Sequence, residues 1–215
     1  MKFLVITDIH GDTSVPDMVN SVSEEYDIDR ILILGDITNF GPNEVAENII
    51  GRISHKVYAI PGNCDPLDLP AAISGICTDM HGRSATVGGI HFAGLGGSNP
   101  TIFDTSFELD EETIYNMLKP ISKKGMVLMV HAPAHGINDT IPSGLHVGST
   151  SILKIVDEFE PRLVLSGHIH EAIGMRIRGK TVFINPGPAK DGRYAIVEMK
   201  NGGVSAELFG PDNKN

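Results

Sequence analysis

Phe3-Leu4-Val5-Ile6-Thr7-Asp8-Ile9-His10-Gly11 contains an abrupt change of chemistry. Phe3 to Thr7 are apolar or β-branched, the pattern of a strand buried on both faces. Asp8 and His10 then follow, and Gly11 lets the backbone turn sharply. An unpartnered carboxylate at the end of an apolar strand is costly to bury, so Asp8 requires a ligand or a donor. The layout recurs four times. Ile31–Leu34 precede Gly35-Asp36, Val57–Ile60 precede Gly62-Asn63-Cys64-Asp65, Met126–Val130 precede His131-Ala132-Pro133, and Leu163–Ser166 precede Gly167-His168-Ile169-His170. Ligands of α/β sheets bind beyond the carboxyl ends of the strands. If these strands are parallel neighbours, the five polar clusters meet at one edge.

Between the strands, Glu44–Ile53 places Val45, Ile49, Ile50 and Ile53 on one helical face. Asp110 is a candidate helix N-cap ahead of Ile114, Met117 and Leu118, and the Ser149–Ser151 run starts a helix that Pro161 stops. Gly88-Gly89 between Ala85–Val87 and Ile90–Leu95 predicts a hairpin. The last third, with Met175–Ile177, Thr181–Ile184, Ala195–Glu198 and Val204–Leu208, reads as antiparallel strands joined by glycine turns. The expectation is a single α/β domain over residues 1–215, with a mixed sheet or two packed sheets and helices outside.

Of 215 residues, 41% are hydrophobic and 20% charged, as in ordinary globular proteins. No apolar run approaches the roughly 20 residues that span a bilayer, and Asp8 interrupts the N-terminal run before it resembles a signal peptide. A cytoplasmic location without membrane association is expected. Two cysteines make neither a disulfide framework nor a zinc motif. The net charge of −10 disfavours strong nucleic-acid binding, although bound cations would offset it locally where an anionic substrate sits.

Four His, two Asp and one Asn (Asp8, His10, Asp36, Asn63, His131, His168 and His170) offer the nitrogen and oxygen donors that suit manganese, iron, zinc, nickel or cobalt. The Asp8-x-His10 and His168-x-His170 spacings let two side chains point the same way in an extended segment, or straddle two ions in a turn. In this ordered pattern of D-x-H, G-D, G-N, H and G-H-x-H, the chain resembles the calcineurin-like metallophosphoesterase superfamily, over residues 8 to 170. The resemblance implies a β-sandwich flanked by helices in four αββα layers. It implies two divalent ions, manganese first among them, with Asp8, His10, Asp36 and His170 around one and Asp36, Asn63, His131 and His168 around the other. A metal-bridging hydroxide would then attack phosphorus.

One position departs from the family pattern. Cys64 stands where the family usually has the His taken to assist the leaving group. A thiol is a poorer donor than imidazolium, and small family members that resemble this chain in carrying G-N-C-D favour diesters. A small phosphodiester is therefore the expected substrate. Asn63, Cys64 and Asp65 are the candidate catalytic residues, with Asp65 able to fix neighbouring groups, while Asn39 and His135 are candidate substrate contacts. A phosphomonoesterase or nucleotide hydrolase is the alternative within enzymes, and a non-catalytic scaffold of the same fold the alternative outside them. A homodimer is compatible with the sequence. His55, His81 and His91 read as ordinary surface or satisfied histidines, His146-Val147-Gly148-Ser149 as a loop beside the pocket or a structural one, and Glu111-Glu112 as the first turn of a helix.

Overall fold

The computed structural model describes residues 1–200 and 202–211. Among these residues, twelve strands form two six-stranded sheets. In the first, β1 (Lys2–Ile6), β2 (Arg30–Ile33), β3 (Val57–Ala59) and β4 (Thr78–Asp79) are parallel neighbours. The long hairpin β11 (Tyr194–Lys200) and β12 (Gly203–Phe209) extends it antiparallel beyond β1. In the second, β6 (Ile90–Leu95), β7 (Val127–Val130), β8 (Leu163–Leu165) and β10 (Thr181–Asn185) run parallel. β5 (Arg83–Val87) and β9 (Gly174–Arg178) close its edges antiparallel.

Strand alternation explains the layering. Successive side chains point to opposite faces, so Phe3 and Val5 of β1 join Leu32, Phe92, Val127, Met129 and Leu165 between the sheets. The Phe3 and Phe92 rings meet edge to face at 5.5 Å across that interface. Leu4 and Ile6 face outward, onto Val19 of α1 (Val15–Tyr26), Ile49 and Ile50 of α2 (Asn43–Gly51) and Leu69 of α3 (Leu69–Ile73). On the far side Leu128, Val130 and Val164 pack against Ile114 and Leu118 of α4 (Glu111–Leu118) and Ile152 and Ile155 of α5 (Thr150–Phe159). The layers are thus αββα, which is why each central strand reads as an unbroken apolar run.

Two expectations need correction. Met175–Ile177 and Thr181–Ile184 pair antiparallel as expected, but the other edge of β10 lies parallel to β8, and β11 and β12 belong to the other sheet. The five polar clusters also do not share one sheet, because β1, β2 and β3 lie in the first and β7 and β8 in the second. The carboxyl ends of both parallel sets nevertheless meet. The caps follow the sequence: Asp110 accepts from the Thr113 amide at 2.6 Å, and Ser149 Oγ accepts from that of Ile152 at 3.1 Å. Glu111 does more than complement its own helix dipole. Its carboxylate accepts from Ser149 Oγ and from the Thr150 and Ser151 amides, so it also caps α5. Ser149→Ala is expected to lower stability by about 1–2 kcal/mol, read from the denaturation midpoint. No helix of the described residues is long and apolar enough to cross a membrane.

Candidate metal centre

The loops after β1, β2, β3, β7 and β8 carry the seven donor residues, and their backbones are cross-tied. The Asp8 amide donates to Gly35 O at 3.0 Å, the His10 amide to Asp36 O at 2.8 Å, and the Gly167 amide to His131 O at 2.9 Å. Nine non-glycine residues adopt positive φ among those described, and four of them are Asp8 (53°), His10 (49°), Asp36 (49°) and His168 (65°). Asp and His tolerate this region better than most, but each such residue stores of order 1–3 kcal/mol, and such strain concentrates at functional sites. Gly62 is required where it is: a Cβ there would collide with the Asp36 amide and carboxylate.

Two sets of donor atoms face each other across Asp36. On one side, His170 Nε2 lies 3.2 Å from Asp8 Oδ1 and 3.4 Å from His10 Nε2, and His10 Nε2 lies 3.8 Å from Asp36 Oδ2. On the other, His131 Nε2 lies 2.9 Å from Asn63 Oδ1 and 3.4 Å from Asp36 Oδ1. The His168 ring packs 5.0 Å from that of His131, and its backbone amide donates to Asp8 Oδ2 at 3.2 Å. Donor atoms about 2.0–2.2 Å from a transition ion lie about 3–3.6 Å apart, and the spacings within each set fall in or near that range. Asp8, Asp36 and His131 are almost completely buried, and Asp8 Oδ1 is a buried oxygen without a hydrogen bond. A cation would satisfy it, so the residues present fit a divalent metal.

Electrostatics agree. Burial works to lower the His131 pKa, but the Asp36 carboxylate outweighs it and raises the value to about 9. Burial and the neighbouring His131 push His168 down to about 4, leaving a neutral imidazole. His131 Nδ1 is 2.7 Å from Leu34 O. Donating there leaves Nε2 facing inward, where a bound ion would displace the proton that the Asp36 carboxylate holds on the ring in the ion-free chain.

The other candidates separate by position. Cys64 is buried beside the cluster, its sulfur grouped with His10 and Asp36 donors that all lie within 4.8 Å of one another. Burial first, then the Asp36 charge, push the thiol far above its ordinary range, so it stays protonated. Asp65 lies beneath the cluster rather than in it. Its carboxylate accepts from the Ile37, Thr38 and Gly62 amides and from Thr38 Oγ1, at 2.7–3.1 Å. Asn39 is exposed on the loop after Asp36. Partly exposed His135 lies 3.8 Å from buried Asp139, whose other oxygen is 2.7 Å from His146 Nδ1. The His146 segment is thereby tied to the loop that follows His131. His81 and His91 are paired, with Nδ1 of His81 accepting from the Gly96 amide and Nε2 of His91 donating to Ile121 O. Sequence reasoning missed Thr105, whose hydroxyl accepts from Asn63 Nδ2 at 3.0 Å. Nothing local marks it, because the contact spans 42 positions.

Residues 1–172 match the profile of calcineurin-like phosphoesterases. The chain belongs to that family. An uncharacterised relative from Methanocaldococcus jannaschii, MJ1162, is 35% identical over 218 residues, covering 97% of both chains. Phosphodiesterase YfcE of Escherichia coli K12 is 33% identical over 75 residues, 30% of this chain and 40% of YfcE. Among solved structures, TT1561 of Thermus thermophilus superposes with a TM-score of 0.70 at 14% identity, over 96% of this chain and 97% of its own. A dimetal phosphatase from Danio rerio does so at 0.70 and 11%, over 98% and 96%. The family match and these likenesses give the chain a calcineurin-like phosphoesterase fold, and membership of the family supports a hydrolase with candidate metal ligands in place.

Proposed function

We propose that this phosphoesterase is a dinuclear metal-dependent phosphodiesterase acting on a small diester. The observation that carries the reading is Asp36, whose two oxygens face separate donor sets at 3.8 and 3.4 Å. Asp8, His10 and His170 would hold one ion, Asn63, His131 and His168 the other, and Asp36 both. Such ions, when bound, draw charge from phosphoryl oxygens and bring the pKa of water toward neutrality.

The chain's own groups hold this arrangement. Leu34 O orients His131, the Cys64 amide donates to Asp36 Oδ1 at 2.8 Å, and Asp65 locks the loops after β2 and β3 to each other. On this reading Asn39 and His135 contact the substrate. The protonated Cys64 thiol is a weak donor at the position where the family pattern has histidine. Leaving groups that need little protonation are therefore favoured, which supports a diester over a monoester.

Parallel assays of chromogenic mono- and diesters, with the metal-stripped protein reloaded with manganese, test this. The expected outcome is faster diester hydrolysis, abolished by chelator and regained with metal. A higher kcat/KM on monoesters would reject the diester assignment, and full activity after metal removal would reject the metal centre. Cys64→His is expected to narrow the preference by raising monoester turnover, up to about 100-fold if the new imidazole acts as an acid.

A further inference from the structure

Glu108 is absent from the set of metal-ligand candidates, yet the hydrogen-bond directions it imposes end among them. Beyond β6 the chain folds into a loop closed by the Leu109 amide on Ser98 O at 2.8 Å and docked by the Phe107 amide on Asn63 O at 3.1 Å. Inside that loop the Glu108 carboxylate accepts four hydrogen bonds: from the Thr101 amide at 3.0 Å and hydroxyl at 2.6 Å, and from the Thr105 amide at 2.9 Å and hydroxyl at 2.7 Å. Burial opposes ionisation, but these donors outweigh it and hold the Glu108 carboxyl down at about 2.

An ionised carboxylate only accepts, and a hydroxyl has a single proton. Thr105 must spend that proton on Glu108, so only lone pairs remain for its other neighbour. That neighbour is Asn63 Nδ2, at 3.0 Å. Only an N–H can pair there, which fixes the amide's rotation and leaves Oδ1 on the opposite side, 2.9 Å from His131 Nε2. A flipped amide would set its oxygen against the Thr105 lone pairs, two acceptors in contact, and would turn its NH₂ toward the donor set of Asp36 and His131.

We propose that Glu108 and Thr105 form a polarity relay that aims the Asn63 carbonyl oxygen into the metal centre, making both positioning residues for the ion shared by Asp36, Asn63 and His131. The proposal rests on the two-ion reading above. It deepens that reading by assigning one of the two ions a support of its own.

Calorimetric titration of the metal-stripped full chain with manganese, repeated with zinc, tests it. Wild type is expected to bind two ions. Thr105→Val, which keeps the volume and removes the hydroxyl, should weaken one ion by about 10–100-fold and leave the other unchanged. Glu108→Gln should weaken the same ion less, because its amide retains one acceptor oxygen. Thr105→Ser should restore wild-type affinity. Thermal unfolding of the metal-free variants separates relay from folding, since the relay predicts selective loss at a near-native midpoint. Wild-type affinities for both ions in Thr105→Val would overturn the relay, as would equal weakening of both ions. A wild type that binds fewer than two ions would overturn the two-ion reading and the relay with it.

Discussion

Asp36→Asn is expected to lower turnover by at least about 1,000-fold with the fold intact. The substitution keeps the volume and one oxygen, which can still accept from the Cys64 amide. It removes the charge that lies between the His10 and His131 nitrogens. Burial disfavours the Asp36 charge, but His131 and the Cys64 amide hold the carboxyl well below its ordinary range, so the native residue is ionised. Two unit charges at 4 Å interact by about 4 kcal/mol at an effective dielectric of about 20, and that much lost from a transition state is about a thousandfold in rate. Asparagine also turns an amide NH₂ toward one donor set, so ion occupancy should fall with rate. Steady-state kinetics on a diester, beside an unfolding curve, check it. Wild-type turnover in a well-folded Asp36→Asn protein would eliminate the shared carboxylate.

Asp65→Ala is the largest expected loss of stability, about 3–5 kcal/mol. Asp65 is fully buried, and its removal strands the Ile37, Thr38 and Gly62 amides together, with the Thr38 hydroxyl left only a long contact to Cys64 O at 3.4 Å. Each buried donor left unpaired costs about 1–3 kcal/mol, with incomplete additivity. For a protein of this size about 1 kcal/mol shifts Tm by about 2–4 °C, so calorimetry should show a drop of order 10 °C. Asp65→Asn, which keeps an acceptor oxygen, should fall less. A residue that touched substrate would behave differently, with Asp65→Ala stable and inactive.

How much of this was legible in the sequence depends on the range of the forces involved. Phe3–Ile6, Ile31–Ile33 and Val127–Val130 announce buried strands because both faces are covered, and Asp110 and Ser149 announce helix starts through local capping. The seven candidate ligands could be picked out because each follows an apolar run and carries chemistry that buried loops seldom tolerate. The parallel pairing of β10 with β8 was not, because its composition suits either direction and only β8 decides. The partition of the strands between two sheets likewise depends on inter-sheet packing rather than local pattern. Thr105 and Glu108 left no trace, since a threonine and a glutamate in a polar segment look like solvated loop until Asn63 arrives beside them.

Metal stoichiometry of the stripped and reconstituted protein, measured by mass spectrometry with elemental analysis, tests the central claim most directly. Two ions per chain in wild type, and fewer than two in Asp36→Asn, is the predicted result. A wild-type protein that takes up no transition metal, or binds it equally well without the Asp36 charge, would contradict it.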